Sequence, residues 1–249
     1  MIDDPGADAP HTDVLRAAPE ALRARLALAL DVDDLVAASR LGRELRPWFG
    51  TMKVGLELYS AGGPDAITTF AGLGVDVFCD LKLHDIPATV GRAARVLGAL
   101  GARYVSLHAA GGVSMLRAGV EGLREGAARA DLAEPGVVAV TVLTSEVEAS
   151  DHLVRQRVRD ALDAGCAGVV CSVADVAVVR EIAPKAIVVT PGIRPEGAPV
   201  DDQARVATPE AAVAAGVDLL VIGRPVTGAR HPTKAARDLV APLLGAAGD

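Results

Sequence analysis

The stretch AGLGVDVFCDLKLHDIPATVGRAARVLGALGARYVSLH, residues 71–108, contains one complete structural repeat of this chain. VDVF (75–78) and YVSL (104–107) are short apolar runs typical of buried strands, and a helical pattern separates them. A glycine-containing turn, AGLG or LGAR, precedes each run, as expected where a helix ends and a strand begins. The stretch therefore predicts two strands joined by a helix, with the charged run DLKLHD (80–85) directly after the first strand.

The same strand–helix unit recurs along the whole chain of 249 residues. The apolar runs begin roughly 18 to 33 residues apart, and the Ala/Leu/Arg/Glu segments between them have high helix propensity. Eight such units without a break in composition predict a single-domain α/β protein, a closed (β/α)8 TIM barrel, with an open doubly wound sheet as the alternative. The eight predicted strands are LALAL (26–30), TMKV (51–54), VDVF (75–78), YVSL (104–107), VVAVTVL (137–143), GVVC (168–171), AIVVT (186–190) and LLVI (219–222).

The composition supports this architecture and narrows the classes of partner. Hydrophobic residues make up 51% of the chain and aromatic residues only 2%, so the core consists mainly of the aliphatic residues that suit a parallel sheet covered by helices. The formal net charge of −7 argues against a nucleic-acid partner, so an anionic ligand needs a local cationic cluster. No apolar run reaches the roughly 18 residues of a membrane span, so we expect no membrane partner.

The N-terminal segment and the cysteines predict a cytoplasmic protein. Residues 1–24 form an acidic, Pro/Ala-rich extension with a helix near residues 14–24, unlike a signal or transit peptide, and the barrel is expected to occupy residues 25–249. Cys79, Cys166 and Cys171 form an odd set in apolar surroundings without metal-ligand spacing, which is typical of reduced core residues in a cytosolic protein.

Polar and charged residues follow most of the predicted strands. In a (β/α)8 barrel, residues at the carboxyl ends of the strands face the active site. Taken singly, Asp31 is equally well explained as a helix N-cap, and Asp85 as a negative charge at a helix N-terminus. We interpret His108 as a hydrogen-bonded residue of the barrel end, and Thr144 and Ser145 as possible helix caps.

Taken together, the charged residues after strands 2 and 3 indicate a reaction centre. Asp80 and Lys82 are two residues apart, so on an extended chain both side chains project to the same face, and Lys53 of the neighbouring strand points into the same barrel mouth. Alternating lysines and carboxylates in a site of low dielectric keep one another ionised. Such a network can stabilise a developing negative charge and deliver a proton.

The last two strand ends indicate a phosphate site. Gly223 and Arg224 follow strand 8 and offer a backbone N–H beside a guanidinium group, while strand 7 runs into PGIR, which contains Arg194. Phosphate binds frequently in the loops after strands 7 and 8 of such barrels, and a helix that begins after VIGRPVT would add its dipole.

These motifs together resemble the orotidine 5′-phosphate decarboxylase family, in the right order from about Leu26 to Thr227. The motifs that carry the resemblance are LALDV, the lysine of MKVGLEL, DLKLHDIPATV, TVLTS, TPGIRPEG with DDQARVATP, and VIGRPVT. The resemblance implies conversion of orotidine monophosphate to uridine monophosphate and CO2 in pyrimidine biosynthesis, without a metal or organic cofactor.

The resemblance also implies a role for each matching residue. Lys82 would donate the proton to C6 of the pyrimidine, and Asp80 would lie near the substrate carboxylate. Lys53 would link Asp80 to the ribose hydroxyls, which Asp31 would also bind, and Thr144 would contact the pyrimidine. The loop from PGIR to Gln203 would act as a lid.

A homodimer with shared active sites is a further implication of the resemblance. Asp85, with Ile86 and Thr89, would reach into the active site of the other subunit. The phosphate would be held by Arg194, Gln203, Gly223 and Arg224.

Two other functions remain open at this point. Sugar-phosphate lyases or aldolases of related barrels share the DxKxxD spacing and would require Mg²⁺ held by oxygen ligands. A barrel that binds phosphate without catalysis is the second alternative, although such a protein has little reason to bury both lysines.

Overall fold

The eight predicted strands are present and form one closed parallel barrel. The computed structural model describes residues 17–143, 150–196 and 206–244. Neighbours along the chain pair in order, and β8 pairs with β1 to close the ring, which confirms the (β/α)8 prediction over the open sheet. The strands are β1 (Leu26–Ala29), β2 (Thr51–Gly55), β3 (Asp76–Leu83), β4 (Tyr104–His108), β5 (Gly136–Val140), β6 (Gly168–Val170), β7 (Ile187–Thr190) and β8 (Leu219–Ile222).

Helices follow the strands on the outside of the barrel. Within the described ranges they are α1 (Glu20–Arg23), α2 (Leu35–Leu45), α3 (Leu56–Gly62), α4 (Pro64–Ala71), α5 (Pro87–Ala99), α6 (Gly112–Arg129), α7 (Asp151–Asp163), α8 (Val176–Ile182), α9 (Pro209–Ala215), α10 (Arg224–Thr227) and α11 (Pro232–Val240). Short 3-10 helices lie at Ala109–Gly111, Val173–Asp175 and Ala241–Leu244.

Two strands differ from their predicted bounds by more than one residue at one end. Strand β3 was expected over 75–78 but extends to Leu83, so the charged run belongs to the strand itself. Strand β5 was expected over 137–143 but ends at Val140. Of the helix predicted near residues 14–24, the described residues contain only the four-residue α1, and residues 1–16 lie outside the described part of the chain.

Glycines in the left-handed region allow the chain to turn from helix to strand. Four turns that precede strands, AGLG, LGAR, AGCAG and AAGVD, each contain a glycine with positive φ, and the first two are the turns predicted from the opening stretch. At Gly216 the φ of 90° ends α9, and its N–H donates to the carbonyl oxygens of that helix. A residue with a Cβ rarely adopts this conformation, which explains why glycine stands there. The glycines are Gly74, Gly101, Gly165 and Gly216.

The core has two layers, one on each face of the sheet. Leu28 and Met52 are fully buried on the outer face, where the strands pack against the helices. Their neighbours in sequence, Ala29 and Lys53, lie opposite each other in the ladder and face the interior. The interior is filled largely by small and branched aliphatic side chains, together with Phe78, so the barrel is packed rather than hollow.

Helices α5 and α6 pack with their backbones in direct contact. A Cβ added at Gly122 would overlap the carbonyl oxygen of Gly91, and one at Gly126 would overlap that of Arg95. A Cβ at Gly98 would overlap the carbonyl oxygen of Leu123. Because α5 follows β3 and α6 follows β4, this contact holds two adjacent barrel strands in place from outside.

Candidate active site

A cavity of about 360 Å³ opens at the carboxyl ends of the barrel strands. Acidic and basic side chains on or just after β1, β2 and β3 form one wall, aliphatic side chains from β5, β6 and β8 form another, and arginines after β7 and β8 form the far end. The cavity therefore lies where the fold predicted the chemistry. The predicted site residues that line it are Asp31, Lys53, Asp80, Lys82, Arg194, Gly223 and Arg224.

Four charged side chains alternate in sign along the first wall. Lys53 Nζ lies 2.9 Å from Asp31 Oδ1 and 3.6 Å from Asp80 Oδ2. Lys82 Nζ lies 2.9 Å from Asp80 Oδ1. Each lysine therefore has a carboxylate beside it, as the sequence predicted, and the order along the wall is Asp31, Lys53, Asp80, Lys82.

The burial of this row makes the pairing necessary. The side chains of Lys53 and Asp80 are only 9% and 14% exposed, whereas those of Lys82 and Asp31 are 33% and 53% exposed. Burial by itself raises the pKa of Asp80, but Lys53 and Lys82 together with hydrogen bonds from Lys82 and Ser106 outweigh it and lower that pKa. Asp80 is thus held as a carboxylate.

The register of β2 and β3 positions the inner pair. Lys53 lies opposite Phe78, and Asp80 lies opposite Gly55 two residues further on. The absence of a side chain at Gly55 leaves space for the ion pair, because a Cβ there would lie 2.7 Å from Asp31 Oδ1 and 3.0 Å from Lys53 Nζ. Asp31 is therefore a partner of Lys53, and the N-cap of α2 is Asp34, whose side chain accepts from the N–H of Ala37.

A simple two-residue strand period does not explain the place of Lys82. Its φ is 51°, in the left-handed region, and the pairing of β3 with β4 shifts register between Cys79 and Leu83. Such a conformation is uncommon for a residue with a side chain and is concentrated at functional sites. The prediction that Asp80 and Lys82 share one face is confirmed, and an irregularity in the strand accompanies this arrangement.

Ser106 is a member of this cluster that the sequence analysis missed. It is fully buried on β4; its hydroxyl donates to Asp80 Oδ1 at 2.8 Å and accepts from the backbone N–H of Lys82 at 2.9 Å. The signal was a lone hydroxyl residue in YVSLH, two positions before His108, where an interior strand residue is normally apolar. Glu57 also lines the cavity and was not predicted.

The wall opposite the charges is apolar. Val140, Val170 and Val221 belong to the buried interior cluster and line this wall, and Phe78 of β3, from the same cluster, also lines the cavity. An apolar wall excludes water and lowers the local dielectric, which strengthens every charge interaction across the cavity. The cavity suits a ligand that combines an apolar portion with negative charge.

The far end of the cavity is cationic. Arg194 is 5% exposed, and its backbone N–H donates to the carbonyl oxygen of Ala207 at 2.9 Å, which ties the two ends of the long loop together. Gly223 follows β8 and is the N-cap residue of α10, which begins with Arg224. Two guanidinium groups here can bind an anion such as a phosphate.

Three predicted residues lie outside the cavity, and two lie outside the described residues. The Asp85 carboxylate accepts from the N–H of Ile86 at 2.6 Å, just before α5, and Ile86 is 64% exposed. Neither these two residues nor Thr89 lines the cavity. Their role in a partner subunit remains a prediction. Thr144 and Gln203 fall outside the ranges that the structure describes.

The other residues considered in the sequence analysis include His108, the candidate helix caps and the cysteines. His108 Nδ1 accepts from the N–H of Ala110, and its ring stacks on His84, in agreement with the interpretation of His108 as a barrel-end residue. The cap of α7 is Ser150. Burial raises the pKa of the Cys79 and Cys166 thiols to about 12, so both are protonated at neutral pH.

Two features of the described residues concern metal ions and membranes. No group of three or more His, Cys, Asp or Glu side chains there has the arrangement of a metal site. In the same part of the chain, no helix is long and apolar enough to cross a membrane.

The closed barrel, the alternating charges and the cationic far end define a class: a (β/α)8-barrel enzyme with a site for an anionic small molecule. Within that class, the chain belongs to the orotidine 5′-phosphate decarboxylase / HUMPS family, whose model matches residues 24–239.

Relatives and solved structures agree with this family. The chain is 47% identical over 234 residues to orotidine 5′-phosphate decarboxylase of Thermobifida fusca, covering 89% of this chain and 97% of the relative. It is 46% identical over 232 residues to that of Anaeromyxobacter sp. (strain K), covering 88% and 98%. A crystal structure of the decarboxylase from Lactobacillus acidophilus matches with a TM-score of 0.72 and 33% identity, covering 87% of this chain and 97% of that one.

Proposed function

We propose that this protein decarboxylates orotidine 5′-monophosphate to uridine 5′-monophosphate and CO2, as a step of pyrimidine biosynthesis. The observation that carries the proposal is the alternating row of Asp31, Lys53, Asp80 and Lys82, which lines one cavity with the arginines after β7 and β8. Relatives of the same family that cover nearly the whole chain and carry this name support the proposal.

The reaction requires a cation next to C6 of the pyrimidine. When the bond between C6 and the carboxylate carbon breaks, the electron pair stays on C6, which has no conjugated system to accept it. An ammonium group held beside C6 stabilises that charge and can transfer its proton, so that a C6–H bond forms. We assign this role to Lys82, which then regains a proton from water.

Asp80 and Lys53 hold the reacting ammonium in its place. The Asp80 carboxylate lies 2.9 Å from Lys82 Nζ and 3.6 Å from Lys53 Nζ, and its lowered pKa keeps it ionised at neutral pH. A fixed arrangement of charges needs no rearrangement during the reaction, which is the principal means by which an enzyme stabilises a transition-state charge. In this proposal Asp80 lies near the substrate carboxylate, and Lys53 and Asp31 bind the ribose.

The rest of the substrate is bound away from the reacting carbon. Thr144 contacts the pyrimidine in this proposal. A phosphate at the cationic end can supply binding energy that orders the loops around the reacting groups. The phosphate is assigned to Arg194, Gln203, Gly223 and Arg224.

A homodimer with shared sites is part of the proposal. Asp85, Ile86 and Thr89 lie together at the start of α5, outside the cavity of their own subunit. The side chain of Ile86 is 64% exposed and is therefore accessible to another subunit. We assign these three residues to the active site of the partner subunit.

The proposal places the enzyme in the cytoplasm and gives it no metal or organic cofactor. Cys79 and Cys166 are free thiols, which suits a reducing compartment. Cell fractionation tests the location, and turnover in the presence of a chelator tests the cofactor requirement.

The decisive experiment is an ultraviolet assay of orotidine 5′-monophosphate turnover in chelator-treated buffer. We expect conversion by the parent protein and none detectable by Lys82→Ala, with Lys185→Ala, a change at an exposed surface lysine, as the matched control. Activity that disappears with the chelator, together with turnover of a keto-sugar phosphate, would instead support a metal-dependent lyase. A Lys82→Ala rate close to that of the parent would refute the assignment of the proton donor.

A further inference from the structure

We propose that Ser106 is a positioning residue that determines where the Lys82 ammonium lies. The proposal rests on the proposed function, because it assigns the reacting ammonium to Lys82. It adds a residue on a different strand, outside the lining of the cavity, to the apparatus that holds this group.

The irregularity of β3 places three residues of this strand opposite one residue of β4. The ladder pairs Cys79 with Val105 and then Leu83 with Leu107. Three residues of β3 therefore face only Ser106 between these pairs. Over this interval the Lys82 N–H donates to the Ser106 hydroxyl at 2.9 Å, where a regular ladder would offer a carbonyl oxygen.

The Ser106 hydroxyl connects the backbone of Lys82 to the carboxylate that holds its side chain. It donates its single hydrogen to Asp80 Oδ1 at 2.8 Å, and the same oxygen lies 2.9 Å from Lys82 Nζ. The result is a closed cycle of three contacts among Lys82, Ser106 and Asp80. Both ends of Lys82 are fixed by this cycle, its amide directly and its ammonium through Asp80.

The chemistry of the side chain explains why a serine fits this position. A hydroxyl has one donor and two acceptor sites, so it accepts from an N–H and donates to a carboxylate at the same time. Alanine provides neither contact, and because Ser106 is fully buried no bulk water replaces them. The left-handed conformation of Lys82, with φ of 51°, also loses a contact that stabilises it.

The test compares three variants with the parent: Ser106→Ala, Ser106→Thr and the control Ser172→Ala. Thr keeps the hydroxyl, and Ser172 is a second buried serine, whose hydroxyl donates to Asp175 at 2.7 Å. We measure melting temperature, uridine monophosphate binding by calorimetry, and the single-turnover rate of decarboxylation. In addition, the chemical shift of the Lys82 amide proton is measured by NMR on the protein without nucleotide.

For Ser106→Ala we expect a folded protein with nucleotide affinity within about threefold of the parent. We expect its single-turnover rate to fall about tenfold or more, because a small displacement of a reacting group lowers the rate by this factor. Ser106→Thr should recover most of the rate, Ser172→Ala should keep it, and the Lys82 amide shift should move in Ser106→Ala alone. A near-parental rate in Ser106→Ala, or an equal loss in Ser172→Ala, would overturn the proposal.

The same measurements distinguish failure of the positioning role of Ser106 from failure of the proposed function. If the parent does not act on orotidine monophosphate, the proposed function fails, and the Lys82 amide shift still decides the structural role of Ser106. An unchanged shift in Ser106→Ala would then overturn the positioning role, and a shift that moves in that variant but not in Ser172→Ala would support it.

Discussion

Replacing Gly55 by alanine tests whether the space beside the ion row is required for activity. Gly55 has extended backbone angles, φ −88° and ψ −177°, which any residue adopts, so alanine introduces no backbone strain there. The added Cβ would instead lie 2.7 Å from Asp31 Oδ1 and 3.0 Å from Lys53 Nζ. The perturbation therefore acts on this one ion pair.

The expected size of the effect follows from these distances and from burial. Ordinary contact begins at 3.4 Å, so the Asp31 oxygen must move by about 0.7 Å and the Lys53 nitrogen by about 0.4 Å. Asp31 is half-exposed and can move into solvent, whereas Lys53 is buried, so we expect Asp31 to leave its bond to Lys53. An ion pair of intermediate burial contributes about 1–2 kcal/mol, between the values for exposed and buried pairs. At about 1.4 kcal/mol per factor of ten, kcat/KM should fall about 5- to 30-fold.

The assay is steady-state decarboxylation by the parent, Gly55→Ala, Asp31→Ala and the double variant. If alanine acts through the Asp31–Lys53 pair, its effect should shrink to less than about threefold when Asp31 is already absent. Thermal melts establish that the variants are folded. A folded Gly55→Ala protein with parental kcat/KM, or an effect of the same size without Asp31, would refute the reasoning.

Three further predictions concern phosphate binding, subunit sharing and pH. Arg224→Ala should weaken uridine monophosphate binding about tenfold or more and leave uridine binding unchanged, as measured by calorimetry. The reason is that the guanidinium is proposed to contact the phosphate alone. Equal losses of affinity for both ligands would contradict this assignment. Mixing inactive Asp85→Ala and Lys82→Ala subunits should restore about a quarter of the active sites. Half of the dimers are then mixed, and each mixed dimer has one intact site out of two. If verified mixed dimers recover no activity, the subunits do not share their active sites. The pKa of Asp80 is lowered in the folded protein, so its contribution to stability is complete above its ordinary pKa of 3.8 and is lost as pH falls through the lower folded value. Urea unfolding between about pH 5 and pH 2 should show this loss, and Asp80→Asn should show less of it.

The barrel was predictable because its evidence is periodic and distributed over the chain. A strand is predicted from the length of an apolar run, the helical pattern beside it and a glycine-containing turn. Because this pattern occurs eight times, an error at any one boundary does not change the predicted fold. The end of β3 was misplaced for a local reason. Charged residues after VDVF resemble the end of a strand, and only pairing with β2 and β4 shows that the strand continues to Leu83.

The charged residues of the site were also predictable, whereas their supports were not. Lys53, Asp80 and Lys82 are rare residue types for barrel strands, so they are conspicuous in the sequence. Ser106 and Gly55 are ordinary residue types, and their importance depends on distances to side chains of other strands. Asp85 illustrates a different limit, because its proposed role depends on the surface of a partner subunit, which a single chain does not show.

The backbone contact between α5 and α6 has a consequence for how the protein opens. Carbonyl oxygens of one helix lie against glycine Cα atoms of the other, so the two helices cannot separate slightly without losing this contact at Gly98, Gly122 and Gly126 together. Strands β3 and β4, which these helices cover, should therefore open as one cooperative unit. In hydrogen exchange their amides should be protected to a similar extent, so that the quarter of the barrel that holds Lys82 is among the last to unfold.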